Sequence, residues 1–268
     1  MIRVFPRKTS HTPTDDLAFV GDPPLWMPPD MPVHVSVTFT WDISEGERLA
    51  EAWSLYYSDV QIGGPAIDGE GNGFVPGRYV KSGVTFTSRG CPNRCPWCLV
   101  DQPLTLLPIT PGYIIQDNNI LATGQEHMGR VFAMLKEQPK AAIFSGGLDA
   151  RLVDDWVADQ FRELRIKSVF LAADNDCALG PLRGAVDRLA FLGREKLRCY
   201  VLIGRETQDR AEARLRRVWD IGCMPFAQLY QPPQMKRVVY DRDWRDLARA
   251  WARPAVMRAL MRHPTESP

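Results

Sequence analysis

From residue 83 onward the chain alternates between two hydrophobic periods. Short runs rich in β-branched and aromatic residues occur at 84–88 (VTFTS), 113–117 (YIIQD), 141–145 (AAIFS), 168–174 (SVFLAAD), 198–204 (RCYVLIG) and 225–230 (PFAQLY). Each has the length and composition of a strand. Between them, at 126–137, 151–164, 181–192 and 208–221, the pattern is helical. Val131, Met134 and Leu135 share one face of the first segment, and Leu152, Val153, Trp156, Val157 and Phe161 one face of the second. Strands alternating with helices predict an α/β fold, with a parallel sheet joined by right-handed crossovers.

Ahead of this region VHVSVTFTW (33–41) alternates and reads as a strand. Ser44 is placed to cap a following helix, with Glu47 completing a capping box, and the helix runs to about Tyr56. SDVQIGGPAI then reads as a second strand, which makes a short β-α-β unit. Residues 1–32 are Pro-rich (GDPPLWMPPDMP) and read as an irregular arm, and 68–82 as a glycine-rich linker or covering loop. At the other end, 241–262 reads as one helix carrying Trp244, Leu247, Trp251 and Met257. The expected division is an extension over 1–82, a main domain over 83–235 and a basic helical segment over 236–268.

Composition adds one asymmetry. The 268 residues are 45% hydrophobic and 24% charged, ordinary for one large globular domain with a small appendage. No apolar run approaches the roughly 18–20 residues that span a bilayer, and the first residues, MIRVFPRKTSHTPTDD, lack an apolar signal core. No membrane partner and a cytoplasmic location are therefore expected. The net charge is +1, yet residues 194–263 hold 16 Lys and Arg against 8 Asp and Glu, leaving −7 for the rest. Such a stretch is either a solvated helical face or a surface for a polyanion such as DNA, since arginine pairs well with phosphate.

The most specific chemistry lies at CPNRCPWC (91–98), directly after the first strand of the alternating region. Cys91, Cys95 and Cys98 form a C-x3-C-x2-C array. A structural zinc site needs four ligands and favours paired C-x2-C units. Here only Cys95 and Cys98 make such a pair, and the nearest histidine is His127. Soft thiolates suit an iron–sulfur cluster, and Pro92 and Pro96 reduce the freedom lost when the ligands converge. Three thiolates can hold three irons of a 4Fe-4S cluster and leave the fourth open to a cofactor. Cys177, Cys199 and Cys223 read as small buried hydrophobes or, alternatively, as ligands of an auxiliary cluster.

This array, with Trp97 before its last cysteine, resembles the radical S-adenosylmethionine (radical SAM) superfamily. The resemblance implies a partial (β/α)6 TIM-like barrel over about 83–235, preceded by a truncated Rossmann-like layer whose V-x-I-G-G-P ending resembles a cobalamin-domain strand. The cobalamin-ligating D-x-H-x-x-G motif is absent. It implies a 4Fe-4S cluster on Cys91, Cys95 and Cys98, S-adenosylmethionine as second cofactor, and an external one-electron donor of the flavodoxin or ferredoxin type. QDNNIL resembles the D-D-N-F signature of the cobalamin-linked and methylthiolating branches, which makes Asp117, Asn118 and Asn119 candidates for the methionyl amino group. Asp174, ending the fourth strand, would bond the ribose hydroxyls, and Trp97 would line the cofactor. SGGLD (145–149) is expected to form a tight turn presenting Ser145 or Asp149 as candidate catalytic groups. GRET (204–207) resembles part of an adenine-supporting segment, and QPPQ (231–234) a loop closing the substrate side.

The implied activity is reductive cleavage of S-adenosylmethionine to a 5′-deoxyadenosyl radical, which abstracts hydrogen from a substrate C–H bond. The compact form and basic C-terminal third resemble small stand-alone phage and prophage members, some of which isomerise an amino-acid group on hypermodified thymine in DNA. Two other readings stand beside it: a radical SAM enzyme of a small metabolite or peptide, and a non-catalytic iron–sulfur or zinc protein.

Overall fold

The computed structural model describes residues 1–67, 78–98, 100, 102–232 and 237–262. The chain divides into two compact units, residues 1–84 with 233–238, and residues 85–232 with 239–268. Most of the 68–82 segment and half of QPPQ lie outside the described residues.

The first unit contains β1 (Ile2–Phe5), β2 (Ala18–Val20), β3 (Val33–Ser36), α1 (Ile43–Ser54) and β4 (Val60–Gly63). Its four strands run parallel in the order β2-β1-β3-β4. The N-terminal stretch is therefore not an irregular arm: IRVF is an inner strand, burying Ile2, Val4 and Phe5. Four residues are too few to display a period. The Pro-rich segment that follows is pinned to α1 and the turn after it: the Trp53 indole donates to the Gly21 carbonyl (3.2 Å) and the Tyr57 hydroxyl to that of Pro28 (2.8 Å). The strand expected over 33–41 stops at Ser36, and a 3-10 turn occupies Thr40–Asp42. Asp42, not Ser44, is the N-cap of α1, and its carboxylate is held by the Arg7 guanidinium instead of capping the helix.

The second unit contains β5 (Val84–Thr85), β6 (Ser88–Arg89), β7 (Thr105–Leu106), β8 (Ile114–Ile115), α2 (Gln125–Lys136), β9 (Ala142–Leu148), α3 (Asp155–Arg162), β10 (Ile166–Ala172), α4 (Leu179–Arg188), β11 (Leu197–Ile203), α5 (Gln208–Ile221), β12 (Met224–Leu229), α6 (Arg242–Ala250) and α7 (Pro254–Arg262). Its main sheet has the order β12-β11-β10-β9-β8-β5, and the pairings described for β8 to β12 are all parallel. The order follows the sequence without reversal. The architecture is thus mixed α/β with parallel sheets, as the alternating pattern requires.

The two faces of this sheet differ in chemistry. Along β11, Leu197, Cys199, Val201 and Ile203 are buried and join the core formed with α2 to α5. Arg198, Tyr200 and Leu202 point the other way and are half-buried. On that second face Tyr200 stacks on Phe170 (4.7 Å between ring centroids) and meets Phe226 edge-on (5.7 Å). Burial pushes the Tyr200 phenol up to about 12, and its hydroxyl donates to the Ser145 carbonyl at 2.9 Å.

Strand β9 carries an irregularity that the sequence reading took for its end. Between Phe144 and Leu148 it advances four residues while β10 advances two, from Val169 to Leu171. Ser145-Gly146-Gly147 stand opposite Phe170 alone, two residues in excess, and form a bulge inside the strand, not a tight turn after it. Glycine is required there, because a Cβ on Gly146 would lie 1.8 Å from the Asp117 carbonyl oxygen. Gly146→Ala is expected to cost about 2 kcal/mol, as overpacking against backbone does, read as a lower urea midpoint.

The segment expected as a single helix over 241–262 is broken. Pro254 disfavours helical geometry at Arg253 and starts α7 as its first residue. The break has a use: the carbonyl of fully buried Trp251, freed at the end of α6, accepts from the Ala227 N–H of edge strand β12 (3.2 Å). A sheet edge is thereby covered.

Candidate active site

The three cysteines sit on a loop whose base is zipped as a two-stranded antiparallel ribbon. β6 pairs with β7 through Ser88–Leu106 and Arg89–Thr105, and the ladder continues with Leu107 N–H to Thr87 O (2.9 Å) and Cys91 N–H to Gln102 O (3.1 Å). Gly90 has φ +75°, and a Cβ there would lie 2.1 Å from the Pro103 carbonyl oxygen, so glycine permits the closure just before the first cysteine. The loop itself turns at Cys95–Cys98, where the Cys98 N–H donates to the Cys95 carbonyl at 3.0 Å.

Three successive residues after β8 hold the start of this loop. Asp117 is buried, and both of its carboxylate oxygens accept hydrogen bonds: Oδ1 from the Thr87 N–H (2.6 Å), Oδ2 from the Thr87 hydroxyl (2.5 Å) and the Ser88 hydroxyl (2.7 Å). Asn118 Oδ1 accepts from the Gly90 N–H at 2.9 Å. The Asn119 amide donates to the Cys91 sulfur at 3.8 Å, and its Oδ1 is buried with no partner among the described residues. Buried carbonyl oxygens are rarely left so. His127 on α2 is buried beside Asp117 and the Thr87 main chain without a well-formed hydrogen bond, and burial lowers its pKa.

The ends of the next two strands hold the rest of the loop. After β9, Asp149 accepts from the Asn93 amide (2.7 Å) and from the Arg151 guanidinium (2.9 and 2.6 Å) and backbone N–H (3.0 Å). Burial pushes its carboxyl up, but those donors outweigh it and hold the pKa below the ordinary value. After β10, Asp174 accepts from the Trp97 indole (3.2 Å) and the Leu202 N–H (3.1 Å). Here burial prevails and the carboxyl is raised. Ser145 lies in the β9 bulge, accepting from the Gln116 amide (2.8 Å) and donating to the Ile115 carbonyl (3.3 Å).

After β11, Arg205 lies over the rings of Trp97 (5.0 Å to the centroid) and Tyr230 (5.4 Å). The next residue, Glu206, is taken by buried Arg214 in a two-pronged ion pair (3.0 and 2.5 Å), and Arg214 also donates to the Leu202 carbonyl (2.8 Å).

The cysteines act on one another. Burial, then Cys98, Cys91 and Asp174, push the Cys95 thiol up, opposed by Arg151. Cys98 is exposed, and Cys91 and Cys95 are half-buried. Among the described residues no three His, Cys, Asp or Glu side chains converge on a single-ion site. Of the other cysteines, Cys177 is exposed, whereas Cys199 and Cys223 are buried, with the Cys223 thiol pushed up to about 12 by burial.

The structure thus brings Cys91, Cys95, Cys98, Trp97, Asp117, Asn118, Asn119, Asp149 and Asp174 to the loop and its supports. Ser145 faces Gln116 and the β8 backbone instead. Sequence reasoning missed Asn93, Arg151 and Tyr230, and took Arg205 only as part of the GRET segment. Only the Asp149–Arg151 spacing carried a local signal. No family model matches the chain, and no curated protein or solved structure matches it either. No helix among the described residues is long and apolar enough to cross a membrane.

Proposed function

We propose that the protein is a radical SAM enzyme, with Cys91, Cys95 and Cys98 as ligands of a 4Fe-4S cluster. One observation carries the reading: the cysteine loop leaves β5 and is fastened, by Asn118 and Asn119, by Asp149 and by Asp174, to the ends of the next three strands. Ligand sites in parallel α/β sheets lie at those carboxyl ends. The unreversed strand order also suits a partial (β/α)6 barrel, because crossovers of one hand that always advance in one direction put the helices on one face.

The residues fit both groups. Three thiols share one short loop, and the orphaned Asn119 Oδ1 beside Cys91 would accept from an ammonium such as that of the methionyl moiety. When bound, the cluster and S-adenosylmethionine would supply a 5′-deoxyadenosyl radical competent to take hydrogen from an unactivated C–H bond. The protein's own part is to hold and orient. Asp117 fixes the loop base, Asp149 and Asp174 fix Asn93 and Trp97, and Arg151 places positive charge near Cys91 and Cys95. An external flavodoxin- or ferredoxin-type donor would supply the electron.

For substrate we favour a modified base in DNA. Several arginines of the basic third are already matched, Arg214, Arg216, Arg217, Arg242, Arg249 and Arg258 each pairing with a carboxylate. A DNA-facing surface would draw on basic residues outside such pairs, among them Arg210, Arg245, Arg253 and Arg262, and a duplex base would have to be flipped out. The test is anaerobic. Protein reconstituted with iron and sulfide, given dithionite and S-adenosylmethionine, is expected to release 5′-deoxyadenosine, and more of it when hypermodified phage-type DNA is added. Release without stimulation removes the DNA assignment; no release from a protein with an intact cluster removes the enzyme.

A further inference from the structure

The geometry points to Arg205 as the residue that recognises an oxyanion, a phosphate or carboxylate group, on the substrate of the cysteine-loop site. This assignment rests on the enzymatic reading above and deepens it.

Arg205 is exposed and makes no ion pair or side-chain hydrogen bond to an acceptor among the described residues. That is unusual in its surroundings, where Arg151, Arg214 and Arg217 all hold carboxylates. Of the nearby carboxylates among the described residues, two are committed to other donors. Glu206 is drawn into its pair with buried Arg214. Asp174 accepts from the Trp97 indole and the Leu202 N–H, and the Arg205 charge reaches it only through space, without an ion pair.

What Arg205 does contact is aromatic. Trp97, from the cysteine loop, and Tyr230, just after β12, each present a ring within 5.4 Å of the guanidinium carbon. Aromatic faces attract a cation without occupying its N–H groups. They restrain the side chain and leave a planar fork of donors, whose geometry matches carboxylate and phosphate. The described contacts join Arg205 to Trp97 and Tyr230 and to none of the three cysteines, so we assign the oxyanion to the substrate.

Phenylglyoxal labelling of arginines in the cluster-loaded protein, read residue by residue by peptide mass spectrometry, tests this. Arg205 is expected to label readily in chloride, and inorganic phosphate at matched ionic strength should slow it about tenfold while Arg253 is unaffected. In a tryptophan-emission titration with phosphate, Arg205→Lys should weaken binding about tenfold, through loss of the fork, and Arg205→Met should abolish it. Both variants should melt as the parent does. Equal labelling in phosphate and chloride overturns the inference, and protection by S-adenosylmethionine alone hands Arg205 to the cofactor and overturns it too. The 5′-deoxyadenosine assay on the same sample separates the two readings. Product without phosphate protection sinks the oxyanion site alone, and protection without product sinks the radical chemistry alone.

Discussion

Cys95→Ala protein, reconstituted anaerobically, is expected to show no cluster absorbance above that of untreated protein and to release no 5′-deoxyadenosine above a protein-free blank. Cys95 is the middle member of the array, and the other members cannot replace it. Cys91 is tethered at the ribbon base through Gln102, and Cys98 sits on the far side of the turn. The fold should survive. Cys95 is only half-buried, and the ribbon, Asn93 and Trp97 contacts do not involve its sulfur. A stability change within about 1 kcal/mol is expected for such a position. Cys199→Ala is the matching control: it opens a small cavity in a closed core, so it should lower the urea midpoint yet retain iron and turnover. Iron retained by Cys95→Ala, or lost by Cys199→Ala, would remove the ligand assignment.

Asp117→Ala has the second large effect, and it reaches the site through the fold. The side chain takes three hydrogen bonds, from the Thr87 N–H, the Thr87 hydroxyl and the Ser88 hydroxyl, in a buried position. Removing the carboxylate leaves those donors without an acceptor and away from water. The expected cost is about 4 kcal/mol, near the value for breaking a buried charged interaction from one side. Iron content per folded chain should fall as well, because Thr87 and Ser88 begin the ribbon that carries the cysteines. Asp117→Asn keeps the shape and loses one acceptor's charge, so it should lie between the two. Urea unfolding with iron quantified on the same preparation measures both. Normal stability with normal iron in Asp117→Ala would show that the ribbon closes without this strap.

How much of this was legible depended on element length. The strands β9, β10, β11 and β12 were visible because six or seven residues show period and β-branching together, and their helices because an apolar face repeats over two turns or more. Short strands were legible only inside longer apolar or alternating runs, as β3, β5 and β8 are. β1 stands alone ahead of a Pro-rich stretch and the β6–β7 ribbon brackets the cysteine loop, so both escaped notice, although one is an inner strand and the other closes the site. The Ser44–Glu47 capping signature was genuine as a pattern, but Asp42 lies two residues earlier and starts the helix while its side chain pairs with Arg7. The helix over 241–262 fell to a proline whose local effect outweighed the amphipathic pattern across it.

The motifs behaved similarly. Asp117, Asn118 and Asn119 were singled out as one group facing a cofactor. The structure divides them: a strap at the ribbon base, a clamp on the Gly90 N–H, and an amide against Cys91 with one oxygen left over. Gly146 and Gly147 were expected in a tight turn after the strand, and they lie in a bulge that lets β9 pass the Asp117 carbonyl.

The sequence by itself determined the alternating α/β plan and the three cysteines on one loop, because both are local: periodicity and spacing lie along the chain and need no partner. Tertiary structure alone decided which carboxylate holds what. Asp149 meeting Asn93, Asp174 meeting Trp97 and Glu206 turning to Arg214, which leaves Arg205 without an ion pair among the described residues, join residues between 8 and 77 positions apart. A carboxylate's partner is whichever donor the packed strands bring within reach, and burial then makes that choice costly to reverse.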